Sequence, residues 1–289
     1  MNYHETPLVF ECGNCRLVGI ASMPESPSPI GVLIVVGGPQ YRSGSHRQFT
    51  LLARDLAKDG ITSLRFDYRG MGDSEGDPRN FETVGDDVRS AIDALLSAAP
   101  NIRQIAIWGL CDAASAALLY AHTDPRVKGL VLLNPWVHSE AGANRARVKH
   151  YYSARLLQRS FWAKLFSGQV KVAASVAEFI KGIGYFFADK SHAPPQINPL
   201  STQENTLYID RMLAGLQQYG GATLLILSGN DLTSQEFQEL ARSDESWKAA
   251  CESARVARRL LPDANHTFST RAQRGQASSL TRQWLSKLP

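Results

Sequence analysis

The sequence predicts an α/β protein: a mostly parallel central sheet with helices on both faces, interrupted by a helical insertion. Three observations carry this. Apolar, β-branched runs alternate with amphipathic helical segments through the first half of the chain, the pattern of a sheet covered on both sides. The alternation stops at Trp136 and resumes at Gly221. Between the apolar run IRQIAI and an alanine-rich helical stretch stands WGLCDAASAA, Trp108 to Ala117, where a strand, a tight turn and a helix start converge on a cysteine.

Taken in order, PLVFE and RLVGIAS alternate like the arms of a hairpin around CGNC, so Cys12 and Cys15 read as its turn. A zinc site needs two more ligands, and a redox CxxC needs a following helix. IGVLIVVGG (Ile30 to Gly38) is a strand buried on both faces. His46 to Asp59 places Phe49, Leu52, Ala53 and Leu56 at helical spacing, and Gly60 closes it. ITSLRFDYRG is a strand running into a glycine-punctuated loop, DYRGMGDSEG, whose arginine and aspartates are expected to pin the loop. Phe81 to Ala99 carries Val84, Val88, Ala91, Ile92 and Leu95 on one helical stripe. IRQIAIWG, a helix from Asp112, and the strand VKGLVLLNP ending at Pro135 complete the first half.

From Trp136 to about Asn205 there are helical patches rich in aromatics but no convincing strand, which reads as a folded cap because so many aromatics need burial. GATLLILSGND resumes the sheet, RVARRLLPDANH supplies a last strand, and Arg271 to Leu288 a final helix. The expected organisation is therefore a sheet domain over 1–135 and 206–289, with a cap over 136–205.

Hydrophobic content of 44% and charged content of 20% are ordinary for a soluble globular chain, and 289 residues suffice for a full core. There is no basic start followed by an apolar core, and no run of about 18 apolar residues, so a cytoplasmic address is the default. Four cysteines are too few for a disulfide scaffold. The net charge of +4 is uneven: Trp136 to Leu200 holds nine Lys/Arg against three Asp/Glu, so the rest is slightly acidic. Such a cap suits an anionic carrier such as coenzyme A or an acyl carrier protein, or a membrane surface, while a merely solvated basic surface is an equal alternative. No nucleic-acid partner is expected.

The chemistry lies at the strand ends. The strand before the elbow ends at Cys111, the next after the cap at Asp231, and the last near His266. Carboxyl ends of parallel strands form the ligand crevice of an open sheet, so residues far apart in the chain converge there. The order nucleophile, acid, histidine belongs to the strand-turn-helix nucleophile elbow. GLCDA departs from G-x-S-x-G by cysteine for serine and Ala113 for the second glycine, and both replacements are small enough for a strained turn. The bland reading of Cys111 is a small buried hydrophobe; the glycine before it, the helix after it and the matching Asp231 and His266 argue for a nucleophile. Asp244 is a substitute acid, and the bland readings of Asp231 and His266 are a turn residue and a loop histidine.

The backbone N–H of Asp112 is the expected oxyanion donor, while its carboxylate opposes thiolate formation. A second donor is expected from the loop VVGGPQYRSGSHRQF, within Gly38 to Tyr41 and foremost at Gln40, because Pro39 has no N–H. Gly38, Tyr41, Arg42 and His46 are candidate substrate contacts at the crevice mouth, Arg42 and His46 for an anionic group.

These stretches carry a family resemblance. VVGGPQYRSGSHRQF, RFDYRGMGDSEG, WGLCDAAS, LLILSGNDLTSQEF and DANHTFS resemble the alpha/beta hydrolases, and more narrowly the exosortase A system-associated hydrolase 1 family of Gram-negative bacteria. The resemblance implies an alpha/beta-hydrolase fold, a setting in exopolysaccharide production and PEP-CTERM protein sorting, and catalytic roles for Cys111, Asp231 and His266. Gly37 stands where the family's usual His-Gly start has histidine.

A thiolate attacks well at neutral pH and also leaves well, so a cysteine enzyme favours substrates with a good leaving group: thioesters and activated or enol esters. Hydrolysis and acyl transfer are both open to the resulting S-acyl group. The sequence thus predicts a cysteine-dependent acyl hydrolase needing no metal or organic cofactor, with an acyltransferase and a non-catalytic binding scaffold as the rivals.

Overall fold

The computed structural model describes residues 3–38, 40–138 and 199–288. Most of the expected cap, with its basic segment, lies outside the described residues, as does Pro39.

Residues 1–138 and 207–289 form one compact unit built on an eight-stranded sheet. Strands β1 (Tyr3–Cys12) and β2 (Cys15–Pro24) form the expected hairpin, with Cys12 and Cys15 facing each other across its turn. Both are free thiols. Then follow β3 (Ile30–Val35), α1 (Gln48–Lys58), β4 (Thr62–Asp67), α2 (Gly85–Ala98), β5 (Gln104–Leu110), α3 (Asp112–Tyr120) and β6 (Val127–Leu133). Helix α4 (Pro199–Gln218) leads into β7 (Ala222–Asn230), α5 (Leu232–Ser243), α6 (Glu245–Cys251), β8 (Val256–Asn265) and α7 (Arg271–Leu285).

The strand order is β1-β2-β4-β3-β5-β6-β7-β8. Only the β1–β2 and β2–β4 pairings are antiparallel; every pairing from β4 through β3 to β8 is parallel. The fold class read from the alternation is therefore the one observed. The expected resumption of the sheet domain at residue 206 falls inside α4, and α5 and α6 were not assigned from sequence.

Period-two alternation divides the core into two layers. Leu33, Val35, Ile105, Ile107, Leu130 and Leu132 face α2 and α3, together with Met212 of α4. Val32, Ile34, Trp108, Leu110, Val131 and Leu133 face α1 and α7 through Phe49, Leu52, Leu56, Ala277 and Leu285. Side chains such as Leu33, Ile34 and Ile107 are fully buried, each worth about 1.5–3 kcal/mol of transfer from water. Because β3, β5, β6, β7 and β8 run parallel, their carboxyl ends share one edge, and Leu110 pairs with Leu133 while Leu133 pairs with Ile226. That edge carries Cys111, Asp231 and His266. Among the described residues no helix is long and apolar enough to cross a membrane, and no cluster of His, Cys, Asp and Glu is suited to hold a metal ion.

Candidate active site

Cys111 sits between β5 and α3 with φ 62° and ψ −125°, a conformation rarely adopted by a residue with a side chain. Such strain persists only where neighbours over-determine it. Here the Cys111 N–H donates to the Leu133 carbonyl at 2.9 Å, and its carbonyl accepts from Ala114 at 3.0 Å, Ser115 at 3.2 Å and Trp136 at 3.3 Å. Crowding explains the small residues around it: a Cβ on Gly109 would lie 2.6 Å from the carbonyl of Ala113. Ala113 is itself buried, whereas Cys111 stays partly exposed.

Asp231 caps α5, accepting from the N–H groups of Thr233 at 3.3 Å and Ser234 at 3.2 Å. Its Oδ2 also lies 2.9 Å from Nδ1 of His266, which directly follows β8. The side chain of Cys111 lies close enough to the His266 ring to affect its protonation. Asp231, and next Cys111, push the His266 pKa up to about 10 against the opposing effect of burial. The sequence-predicted trio is thus brought together from three strand ends.

Behind it, Asn134 ties β6 to β7: its Oδ1 accepts from the Ser228 N–H and its Nδ2 donates to the Ser228 hydroxyl, both at 2.9 Å. Asn265 and Ser269 exchange hydrogen bonds at 2.7 and 3.0 Å across the His266 turn. Asp244, the substitute acid, is elsewhere: exposed, it caps α6 by accepting from Ser246 and Trp247.

The loop after β3 meets the elbow through Gly38, whose N–H donates to Asp112 Oδ2 at 2.8 Å. Ala113 N–H donates to Asp112 Oδ1 at 3.0 Å. Burial raises the Asp112 pKa, while backbone N–H groups, those of Gly38 and Ala113 first, and the charge of His266 pull it down. A Cβ on Gly37 would stand 2.2 Å from Asp112 Oδ1, so no histidine fits there beside this carboxylate.

Two side chains of this loop are held by partners within the protein. Gln40 braces the loop, its Oε1 accepting from the Ser45 N–H at 3.0 Å and from Gln48 Nε2 at 3.5 Å, and the loop N–H that reaches the elbow belongs to Gly38. Arg42 is committed to carboxylates. Its guanidinium pairs with Asp67 and with Asp73, the latter at 2.5 Å, and its N–H donates to Asp67 at 2.6 Å. A bidentate charge already neutralised by two acids is a pin for the loop. Tyr41 is half-exposed beneath that guanidinium, and His46 is exposed, in left-handed backbone just before α1. Arg69 pins the DYRG loop to Asp87 at 2.8 Å, as expected.

Two tyrosines near the elbow escaped the sequence reading. Tyr208 of α4 donates to the His138 carbonyl at 3.1 Å and packs edge-on against Phe81; burial raises its pKa, with Glu82, Glu236 and Cys111 contributing. Tyr68 is pushed up to about 12, by burial first and then by Asp112. Tyr68 stands inside the quoted loop DYRGMGDSEG and offers a signal there, whereas Tyr208 stands on a helix not assigned from sequence.

A partly exposed thiol, an imidazole oriented by a buried carboxylate and backbone N–H donors at a helix start form a set suited to acyl chemistry. Comparison with known proteins agrees with this fold. The chain is 33% identical over 98 residues to a polyketide transferase of Penicillium, covering 32% of this chain and 33% of that protein. It is 41% identical over 81 residues to a thiohydrolase of Arthrinium phaeospermum, covering 26% of each. The chain thus matches about a third or less of either relative's length. Among solved structures an esterase of Pyrococcus furiosus superposes with a TM-score of 0.63 at 16% identity, over 99% of this chain and 93% of that one. The model of the alpha/beta hydrolase family matches residues 32–275, and with the parallel sheet and nucleophile-type elbow described above, the chain belongs to that family.

Proposed function

We propose that the protein is a cysteine-dependent acyl hydrolase acting on a thioester or activated ester. The observation that carries this is the 2.9 Å contact of His266 with Asp231, which holds the ring beside Cys111 at the strained elbow. In the reading, Cys111 Sγ attacks the acyl carbon while its proton resides on His266, and the carbonyl electron pair moves to oxygen. Backbone N–H groups of Asp112 and Gly38 face that oxygen. Collapse expels the leaving thiolate or enolate, which takes the proton from His266. Water then attacks the S-acyl group with His266 as base, releasing carboxylic acid and the free thiol. Asp231 orients the ring and stabilises its charge throughout. The chemistry calls for no metal or organic cofactor.

A thioester is favoured because sulfur leaves a tetrahedral intermediate more readily than an alkoxide; the thiohydrolase relative points the same way. The Penicillium relative, by its name a transferase, supports a second reading in which an alcohol or amine replaces water. The basic composition of 136–200 supports a thioester carried on coenzyme A or an acyl carrier protein, and the narrower family resemblance supports a role beside exopolysaccharide production. We take 136–205 as the cap that selects the acyl group, and the cytoplasm as the compartment.

Intact-mass analysis after mixing with acyl N-acetylcysteamine thioesters of graded length tests the reading. An acyl adduct mapped to Cys111, absent in Cys111→Ala and decaying to free acid, is the expected result. Product formation undiminished in Cys111→Ala contradicts it, and acylated acceptor formed ahead of free acid selects the transferase.

A further inference from the structure

The Asp112 side chain sits where an oxyanion should. The donors that an elbow offers a developing oxyanion are the N–H of the residue after the nucleophile and an N–H from the loop after β3. Here those groups are Asp112 N–H and Gly38 N–H, and the Gly38 N–H already donates to the Asp112 carboxylate at 2.8 Å. Ala113 N–H joins it at 3.0 Å. Backbone donors from the loop and from the helix start converging on one carboxylate make an anion seat, and its occupant is covalently part of the elbow. Gly37 leaves room for that occupant, since any Cβ there would strike Asp112 Oδ1 at 2.2 Å.

Resting on the cysteine reading above, we propose that the Asp112 carboxylate is a resting occupant of the oxyanion seat, and that it must rotate out before the tetrahedral oxygen can be held. Asp112 then has two opposed parts: its backbone N–H stabilises the intermediate and its side chain competes with it. Charge-assisted bonds to N–H groups are about twice as strong as neutral ones, so the competition is substantial. The arrangement holds the seat closed until a bound acyl group occupies the pocket.

The probe is butanal, an aldehyde that adds reversibly to a thiol. The Cys111 Sγ–C bond forms, the carbonyl π pair moves to oxygen, and the thiol proton, held by His266, neutralises that oxygen or stays on the ring. Protection of Cys111 against iodoacetamide gives the aldehyde dissociation constant, and the rate without aldehyde reports thiol reactivity separately. Asp112→Ala empties the seat, while Asp112→Asn removes the charge but leaves an acceptor in it.

The expected order of aldehyde affinity is Ala above Asn above wild type, with the Ala gain about tenfold or more. Equal gains in Asn and Ala reduce the effect to charge and overturn occupancy. Weaker protection in Ala makes the side chain a support of the seat and overturns the proposal as well. If Asp112→Ala does not fold, Asp112→Ser, too short to reach Gly38, is judged by the same order. A wild-type thiol inert both to iodoacetamide and to butanal overturns the cysteine reading itself, an outcome distinct from the others.

Discussion

Asp231 and His266 stand 35 positions apart in the chain and 2.9 Å apart in space. The contact exists because β7 and β8 are parallel neighbours ending at one edge, with Asn230 paired to Asn265. Asp231 meets the ring while also capping α5, so one carboxylate fixes both a helix start and an imidazole.

Asp231→Asn separates these two duties. Asparagine caps a helix as well as aspartate does, so at pH 10, where the ring's bound proton no longer adds stability, the change in urea denaturation should be less than about 1 kcal/mol, while near pH 6 the variant should be clearly less stable. Without the negative charge, the His266 pKa should fall from about 10 toward its ordinary value near 6.5, as read by NMR titration of the ring. The rate of Cys111 acylation should drop by about a hundredfold or more.

The raised His266 pKa also fixes a pH dependence of stability. A group that binds its proton more tightly when folded adds stability that is complete below its unfolded pKa of about 6.5, and this is lost as pH rises through about 10. The stability difference between wild type and His266→Gln should therefore be largest at pH 5–6 and shrink steadily to pH 10. A difference growing with pH would show that the ring is held neutral.

Gly109 and Gly275 should respond oppositely to alanine. At Gly109 the new methyl meets the Ala113 backbone at 2.6 Å, so the elbow must shift, at a cost of about 1–3 kcal/mol and with slower acylation. At Gly275, inside α7, a Cβ meets nothing within 4 Å, and helix propensity alone should add about 0.5–1 kcal/mol. Thermal unfolding of the two variants checks both signs.

Arg42→Ala should act on stability and leave substrate charge selection untouched. It strips the fully buried Asp67 side chain of its cation, for which about 3–5 kcal/mol is typical; the N–H groups of Arg42 and Asp73 that remain on Asp67 place the loss at the lower end. The ratio of kcat/KM for anionic and neutral thioesters should not change. A selective loss on anionic substrates would restore Arg42 to the role of anion receptor.

The strands were legible because each buried run has its own composition, and the elbow because Gly109, Cys111 and Ala113 announce a crowded turn locally. Asp231 and His266 were legible by position, each just past an apolar strand. The contacts of Arg42 with Asp67 and of Gly38 with Asp112 were not, since each joins loops after different strands and depends on their lateral order. The Gly38 contact escapes local reasoning for the same reason: the loop sequence shows Pro39, not the carboxylate that follows β5. Helices α5 and α6 were passed over because their polar stretches between β7 and β8 resemble a loop until Phe237 and Trp247 are seen packing edge to face at 5.5 Å.

The central claim is that Cys111 is a nucleophile activated by His266, and its most direct test is the iodoacetamide alkylation rate of each cysteine at pH 7, resolved by peptide mass, in wild type and His266→Ala. Cys251, buried and with its pKa pushed up to about 11 by that burial, is the internal reference. Cys111 labelling far faster than Cys251, and slowed about tenfold or more when His266 is removed, is the result expected. Labelling of Cys111 at the Cys251 rate, indifferent to His266, would contradict the account and leave an alpha/beta-hydrolase scaffold without a working thiol.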